Sequence, residues 1–224
     1  MYQTKSAIFL RSVIRKVGLT SVKSLFIKNN RYEKAFDNSM AAATSVSKVF
    51  WDIGANHGVY TSKFLAGPQT ERIFCFEPNP NLVEGLKTRY VNESNVTIIG
   101  SAVSNFSGQL GLKIGLDGLS ATSKLCTTEN GDVLVKVSRF NDLLTSMERP
   151  DLIKIDIEGG EVEVLGDMAE SYQLLVGTTV FIEIHFSIID GRKKSSELAK
   201  ILKTINKLSK EFVWVDSSHI KIVF

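Results

Sequence analysis

The rhythm of hydrophobic and polar positions changes near residue 48. From Val49 onward, short apolar runs alternate with stretches whose apolar residues recur every three or four positions, the pattern of a βαβ sheet. The runs predict strands at about 48–53, 72–77, 95–100, 151–156, 179–184, 211–216 and 219–224. The amphipathic stretches predict helices at about 58–66, 80–90, 160–169 and 194–209. Only Ser217-Ser218 separates the last two strands, so they form an antiparallel hairpin at the sheet edge rather than another crossover. The fold class is α/β: one Rossmann-like, doubly wound domain over residues 48–224.

Two regions break the alternation. Between Ser104 and Arg139, period-2 segments at Gln109–Ile114 and Asp132–Val137 flank a polar stretch, Asp117–Gly131. They predict a β-hairpin-like insertion over about 105–138 with a long movable tip, and loops of that length are more often functional than idle. Residues 1–47 read as a short helical segment with two helices. Thr4 caps Ile8, Val13, Ile14 and Val17; Gly18 interrupts; Thr20 or Ser21 caps Val22, Leu25 and Phe26 before Asn29-Asn30.

With 224 residues, 43% hydrophobic and 23% charged, the chain has the composition of a folded soluble protein, and no apolar run approaches the ~18 residues of a bilayer span. Cys75 and Cys126 offer neither a zinc spacing nor a disulfide framework, which fits a reducing, cytoplasmic location; no metal is assigned. The net charge of +3 is uneven. Residues 1–37 carry eight Lys/Arg against Glu33 and Asp37, while the remainder carries 19 against 22. An acidic body has no footprint for nucleic acid, so a polyanion, a membrane surface or a lipid-linked substrate would meet the N-terminal segment. That segment reads as a solvated basic face, as a targeting peptide, or as a lid. In the last case Phe9, Val13, Val17, Leu25 and Phe26 would pack onto the sheet while Arg11, Arg15, Lys16 and Lys23 face an anionic acceptor.

Candidate chemistry gathers where strands end. The first strand runs into Asp52-Ile53-Gly54-Ala55-Asn56-His57-Gly58, ahead of a helix that contains Tyr60. Glycines there let the backbone turn sharply and a ligand approach the main chain. The spacing departs from G-x-G-x-x-G, and G-x-x-x-x-G-K-[ST] is absent, so phosphate binding is unsupported. A carboxylate such as Asp52 repels a pyrophosphate but attracts a ligand bearing an ammonium and a sulfonium, as S-adenosylmethionine (SAM) does. The second strand ends in Phe76-Glu77-Pro78-Asn79-Pro80, with Glu77 23 residues beyond Gly54, an offset at which an acid accepts ribose hydroxyls. Pro78 and Asn79 would then lie beside the adenine, and Ser101-Ala102-Val103-Ser104 would form its other wall.

Asp-Ile-Gly-Ala-Asn-x-Gly, Phe-Glu-Pro-Asn-Pro, Ser-Ala-Val-Ser and Lys154-Ile155-Asp156-Ile157-Glu158-Gly159-Gly160-Glu161, in this order, resemble the FkbM family of SAM-dependent methyltransferases over about residues 48–186. His57 and Gly160 depart from the family pattern. The resemblance implies a seven-stranded class I methyltransferase sheet with an antiparallel last strand, and O-methylation of a saccharide, glycoconjugate or natural-product hydroxyl. It makes Asp52, Gly54, Ala55, Asn56, Gly58 and Tyr60 candidate cofactor contacts, together with Glu77, Pro78, Ala102, Val103 and Asp156. The partner it implies is a small-molecule or glycan acceptor.

Methyl transfer from a sulfonium needs an aligned acceptor and, for an alcohol, a proton acceptor. Asp156 ends the fourth strand of the sheet, Glu158 follows, and His185 ends the fifth strand on the same rim. With an ordinary pKa near ~6.5, His185 would serve as the base, with Asp156 and Glu158 beside it. Glu161, in the first turn of the next helix, reads first as a helix-dipole and capping residue. Asp156, Glu158 and Glu161 could also hold magnesium, although their spacing departs from known metal sites. His57 reads as shaping the cofactor loop and His219 as a surface or core residue. Nitrogen or carboxylate methylation, a non-catalytic SAM-binding module and a nicotinamide dehydrogenase remain alternatives on the residues alone.

Overall fold

The computed structural model describes residues 32–115 and 123–224. The predicted helices before residue 30, the lid built from them, and part of the insertion tip lie outside the described residues.

Along the chain the elements are α1 (Tyr32–Thr44), β1 (Val49–Ile53), α2 (Val59–Leu65), β2 (Arg72–Phe76), α3 (Pro80–Arg89) and β3 (Val96–Ile99). Then come β4 (Ala102–Ser104), β5 (Gly108–Lys113), β6 (Lys124–Cys126), β7 (Val133–Arg139), α4 (Phe140–Ser146), β8 (Leu152–Ile155) and α5 (Glu161–Glu170). The chain ends with β9 (Thr179–Glu183), α6 (Phe186–Gly191), α7 (Ser195–Leu208), β10 (Glu211–Trp214) and β11 (His219–Val223).

A seven-stranded sheet has the order β10-β11-β9-β8-β1-β2-β3. β11 runs antiparallel to both β9 and β10, while the neighbouring pairs from β9 to β3 are parallel. The terminal hairpin thus inserts its last strand between β9 and β10 and leaves β10 at the edge. All seven predicted strands of this sheet are present, because a parallel sheet covered on both faces demands continuous apolar runs. Every residue of β1 and of β8 is buried.

Alternation along the strands divides the core. Trp51, Ile53, Ile153 and Ile155 face one layer, packed by α4, α5, α6 and α7; Phe50 and Leu152 face the other, with α1, α2 and α3. Asp52 and Lys154, two residues beyond Phe50 and Leu152, are register partners on neighbouring strands. They put two buried charges at one end of the smaller layer.

The insertion is more ordered than a hairpin. β5 pairs with β7 as expected, but β6 and β4 add to it, giving a second sheet of order β4-β7-β5-β6. Part of the expected loop is therefore strand. α1 was also unexpected: Phe36 and Met40 are buried with Phe50, Phe64 and Phe181, so the stretch just before residue 48 packs onto the sheet.

Candidate active site

Two tight turns meet at the C-terminal edge of the sheet. After β1, Gly54, Asn56 and Gly58 adopt φ of 79°, 51° and 75°; after β8, Glu158 and Gly159 adopt 50° and 98°. A side chain on Gly54 would collide with the carbonyl oxygen of Asp156, so this glycine lets the two turns touch. One on Gly58 would meet Tyr90 and Leu86 within 2.8 Å. The positions their side chains would take are occupied by protein atoms, so these glycines allow close packing of the two turns and of α2 on α3.

Glu77 follows β2 and is 6% exposed. Its Oε2 accepts the N–H of Asn56 and its Oε1 the N–H of Asn79, both at 2.9 Å. Burial raises its pKa, and the two N–H donors act against that rise. The carboxylate is thereby aimed across the mouth of the first turn. Asn79 is not a free adenine contact: it is buried, and its side chain caps α3 by accepting the N–H of Asn81. Pro78 stays partly exposed, whereas Ala55, Ala102 and Val103 are buried, Val103 in the larger core.

Asp52 departs from the expected ligand contact. It is fully buried, and its Oδ2 accepts both the N–H of Thr61 at 3.0 Å and its hydroxyl at 2.7 Å, pinning the first turn of α2. Its Oδ1 has no hydrogen-bond partner among the described residues and lies 3.9 Å from Lys154 Nζ. Burial raises the pKa of Asp52, with Lys154 and Thr61 opposing.

Lys154 is the residue sequence reasoning missed. Its ammonium donates to Asp156 Oδ2 at 3.2 Å and to the Gly54 carbonyl at 3.4 Å, and sits 4.8 Å from the centre of the Tyr60 ring. The signal was present: a lysine inside the apolar run of a central strand must be paired. Tyr60 in turn stands edge-on to Phe36 at 5.8 Å, which links α1 to the site.

His185 joins the group from the end of β9. Its Nδ1 donates to Glu161 Oε1 at 2.6 Å, and Glu161 Oε1 also accepts the N–H of Gly159 at 2.9 Å. The opposite ring nitrogen, Nε2, lies 3.6 Å from Asp156 Oδ1 and 3.5 Å from Glu158 Oε1. Burial works against the charged ring, but the Glu161 hydrogen bond and the charges of Glu161, Glu158 and Asp156 prevail and raise its pKa to about 9. The raised value departs from the ordinary pKa near 6.5 expected of this residue. Burial acts upward on Asp156, yet Lys154 and then His185 hold it below the ordinary carboxylate range. Burial leaves Glu158 raised. Glu161, fully buried, orients His185 as well as serving the start of α5.

A second histidine stands on the same rim. His219 Nδ1 is 2.8 Å from Asp216 Oδ2 and its Nε2 3.5 Å from Glu183 Oε2, while Phe36 lies over the ring at 4.1 Å. His219 was read as an ordinary surface or core residue; the hairpin brings it beside the site. His57 is exposed, its carbonyl accepting from Arg89.

The arrangement is thus a buried acidic edge partly neutralised by Lys154 and His185, beside a turn built for close backbone contact. Comparison with known proteins matches this architecture. A hexuronic acid methyltransferase, AglP, of Haloferax volcanii is 30% identical over 169 residues, spanning 73% of this chain and 67% of that protein. The crystal structure of methyltransferase FkbM from Methylobacillus flagellatus KT shares the fold with a TM-score of 0.50 and 16% identity; the match covers 79% of this chain but 43% of that one. The profile of the methyltransferase FkbM domain matches residues 52–213, and the chain belongs to the FkbM methyltransferase family.

Proposed function

We propose that this methyltransferase uses SAM to methylate a hydroxyl of a saccharide, an acidic sugar above all. The observation that carries the cofactor reading is Glu77: a nearly buried carboxylate at the tip of β2, each oxygen already holding one backbone N–H and keeping a further lone pair for a ribose hydroxyl. The acidic edge formed by Asp156, Glu158 and Glu161 fits the cofactor's positive groups and would repel a pyrophosphate. The acceptor class is supported by the Haloferax volcanii relative, whose name states a hexuronic acid.

When bound, SAM supplies an electrophilic methyl group. The protein's part is to align an acceptor oxygen with it and to provide for the hydroxyl proton. Transfer would leave the C–S electron pair on the departing sulfur, so the hydroxyl proton is what the protein's own residues have to provide for. Asp156, ionised and held by Lys154, accepts the hydroxyl's hydrogen bond, and the proton leaves past the partly exposed Glu158 to water. His185 shares in this only once its ring has lost a proton.

Calorimetry tests the cofactor. SAM and S-adenosylhomocysteine should bind and NAD should not, and Glu77→Ala should weaken SAM by about 5- to 150-fold, the cost of unpaired ribose hydroxyls. Unchanged affinity in Glu77→Ala removes the ribose assignment. Mass spectrometry of uronic acid-containing glycans incubated with SAM tests the acceptor, a gain of one methyl group being the expected result.

A further inference from the structure

Asp156, Glu158 and His185 each offer one ligand-capable atom, and these atoms all lie within 4.8 Å of one another. The distances from His185 Nε2 to the two carboxylate oxygens, 3.5 and 3.6 Å, are too long for good hydrogen bonds. They suit two ligands about 2.1 Å from one shared ion that subtend roughly 110° at it. The back of the ring is fixed separately. Nδ1 is held by Glu161, a fully buried carboxylate, so that only Nε2 is presented forward. A histidine clamped from behind by a carboxylate is the usual support of a metal-binding imidazole.

A further observation points the same way. Glu161 Oε2 is buried and has no hydrogen-bond partner among the described residues, and neither has Asp52 Oδ1. Among the described residues, the four carboxylates Asp52, Asp156, Glu158 and Glu161 have Lys154 and His185 as their ion-pair partners, with His219 further off acting on Asp156. Carboxylates that outnumber their cations at one edge, two of them buried and two partly open to solvent, favour the approach of a further cation. The three forward side chains keep partial solvent access, with 31%, 28% and 16% exposure for Asp156, Glu158 and His185, so an ion has a way in.

We propose that Asp156, Glu158 and His185 bind a divalent first-row metal ion, with Glu161 as the residue that orients the imidazole. Two carboxylates and one imidazole suit manganese or iron better than calcium, which prefers oxygen alone. The set differs from the three carboxylates that sequence spacing brought forward: His185 takes the place of Glu161, which serves from behind. The role of the ion rests on the saccharide-hydroxyl reading. It would hold the acceptor oxygen and make its hydroxyl more acidic, the proton leaving to water, with His185 acting as a ligand rather than as the proton acceptor.

The experiment is a titration of the chelator-treated full-length protein with manganese(II) chloride, without SAM or acceptor, followed by the loss of the free-ion electron paramagnetic resonance signal. One ion per chain should bind. Glu161→Gln should weaken binding about 10- to 100-fold, while Glu148→Gln, remote from the site, should leave it unchanged. Electron spin-echo spectra of the wild-type complex should show coupling to one imidazole nitrogen, a readout that needs no variant to fold. Absence of stoichiometric binding, or a bound ion without nitrogen coupling, overturns the site. Because cofactor and acceptor are left out, this result stands apart from the calorimetry: failed SAM binding would remove the cofactor reading and leave the metal site intact, and the reverse also holds.

Discussion

Lys154 shows how a single side chain organises the acidic edge. It lies between Asp52 and Asp156 and prevents two carboxylates on adjacent strands from confronting each other undiluted. His219 plays a comparable part beside it, held by Asp216 and Glu183 and covered by Phe36. Burial opposes its charge, but the two carboxylates raise its pKa from 6.5 to about 9. A raised histidine pKa means that the folded state binds the proton more tightly than the unfolded chain does. Its contribution is complete below pH 6.5 and is lost as pH rises through 9. The stability gap between wild type and His219→Gln should therefore be widest at pH 6 and shrink by on the order of 1–3 kcal/mol by pH 10. Urea unfolding across that range measures it; a gap independent of pH would show that His219 is not charged in the fold.

At the scale of elements, α1 matters more to the site than its place before the first strand suggests. Phe36 is 4% exposed and stands edge-on to Tyr60 and Phe181, at 5.8 and 5.7 Å, while Asp37 pairs with Lys63 of α2 at 2.7 Å. The helix thus braces the ring that stands beside the Lys154 ammonium. Phe36→Ala should cost about 3–5 kcal/mol in denaturant unfolding, the usual consequence of emptying a packed aromatic position. A loss below about 1 kcal/mol would mean that the helix does not pack here in solution. The insertion makes a different point about elements. Period-2 segments announced β5 and β7, but three-residue strands such as β4 and β6 have too few positions to show a period, and only pairing with β7 and β5 creates them.

For the whole molecule, the turns after β1, β2 and β8 and the end of β9 converge on one edge of one sheet, so ligand binding there is coupled to global stability. S-adenosylhomocysteine at about 100 times its Kd should add about 2.7 kcal/mol. For a chain of this length that raises Tm by about 5–10 °C in a thermal scan, and NAD at the same concentration should leave Tm unchanged. An equal shift with both compounds would remove the selectivity. No helix among the described residues is long and apolar enough to cross a membrane.

The order and kind of the main elements were determined by the sequence alone, because both faces of a parallel sheet must be apolar and the helices between its strands must be amphipathic. Local patterns of this kind survive in one dimension: Asp52-Ile53-Gly54, Glu77-Pro78 and Asp156-Ile157-Glu158 each sit where a predicted strand ends. What residues do once there was decided by the tertiary structure. Asp52 is consumed by Thr61 nine residues on, and Glu161 reaches His185 across 24 positions. His219 arrives opposite Glu183 only because the last strand inserts between β9 and β10. Protonation belongs to the same class of property. The pKa of His185 follows from three carboxylates and from burial, neither of which a local pattern encodes, since both depend on distances between segments that only folding brings together.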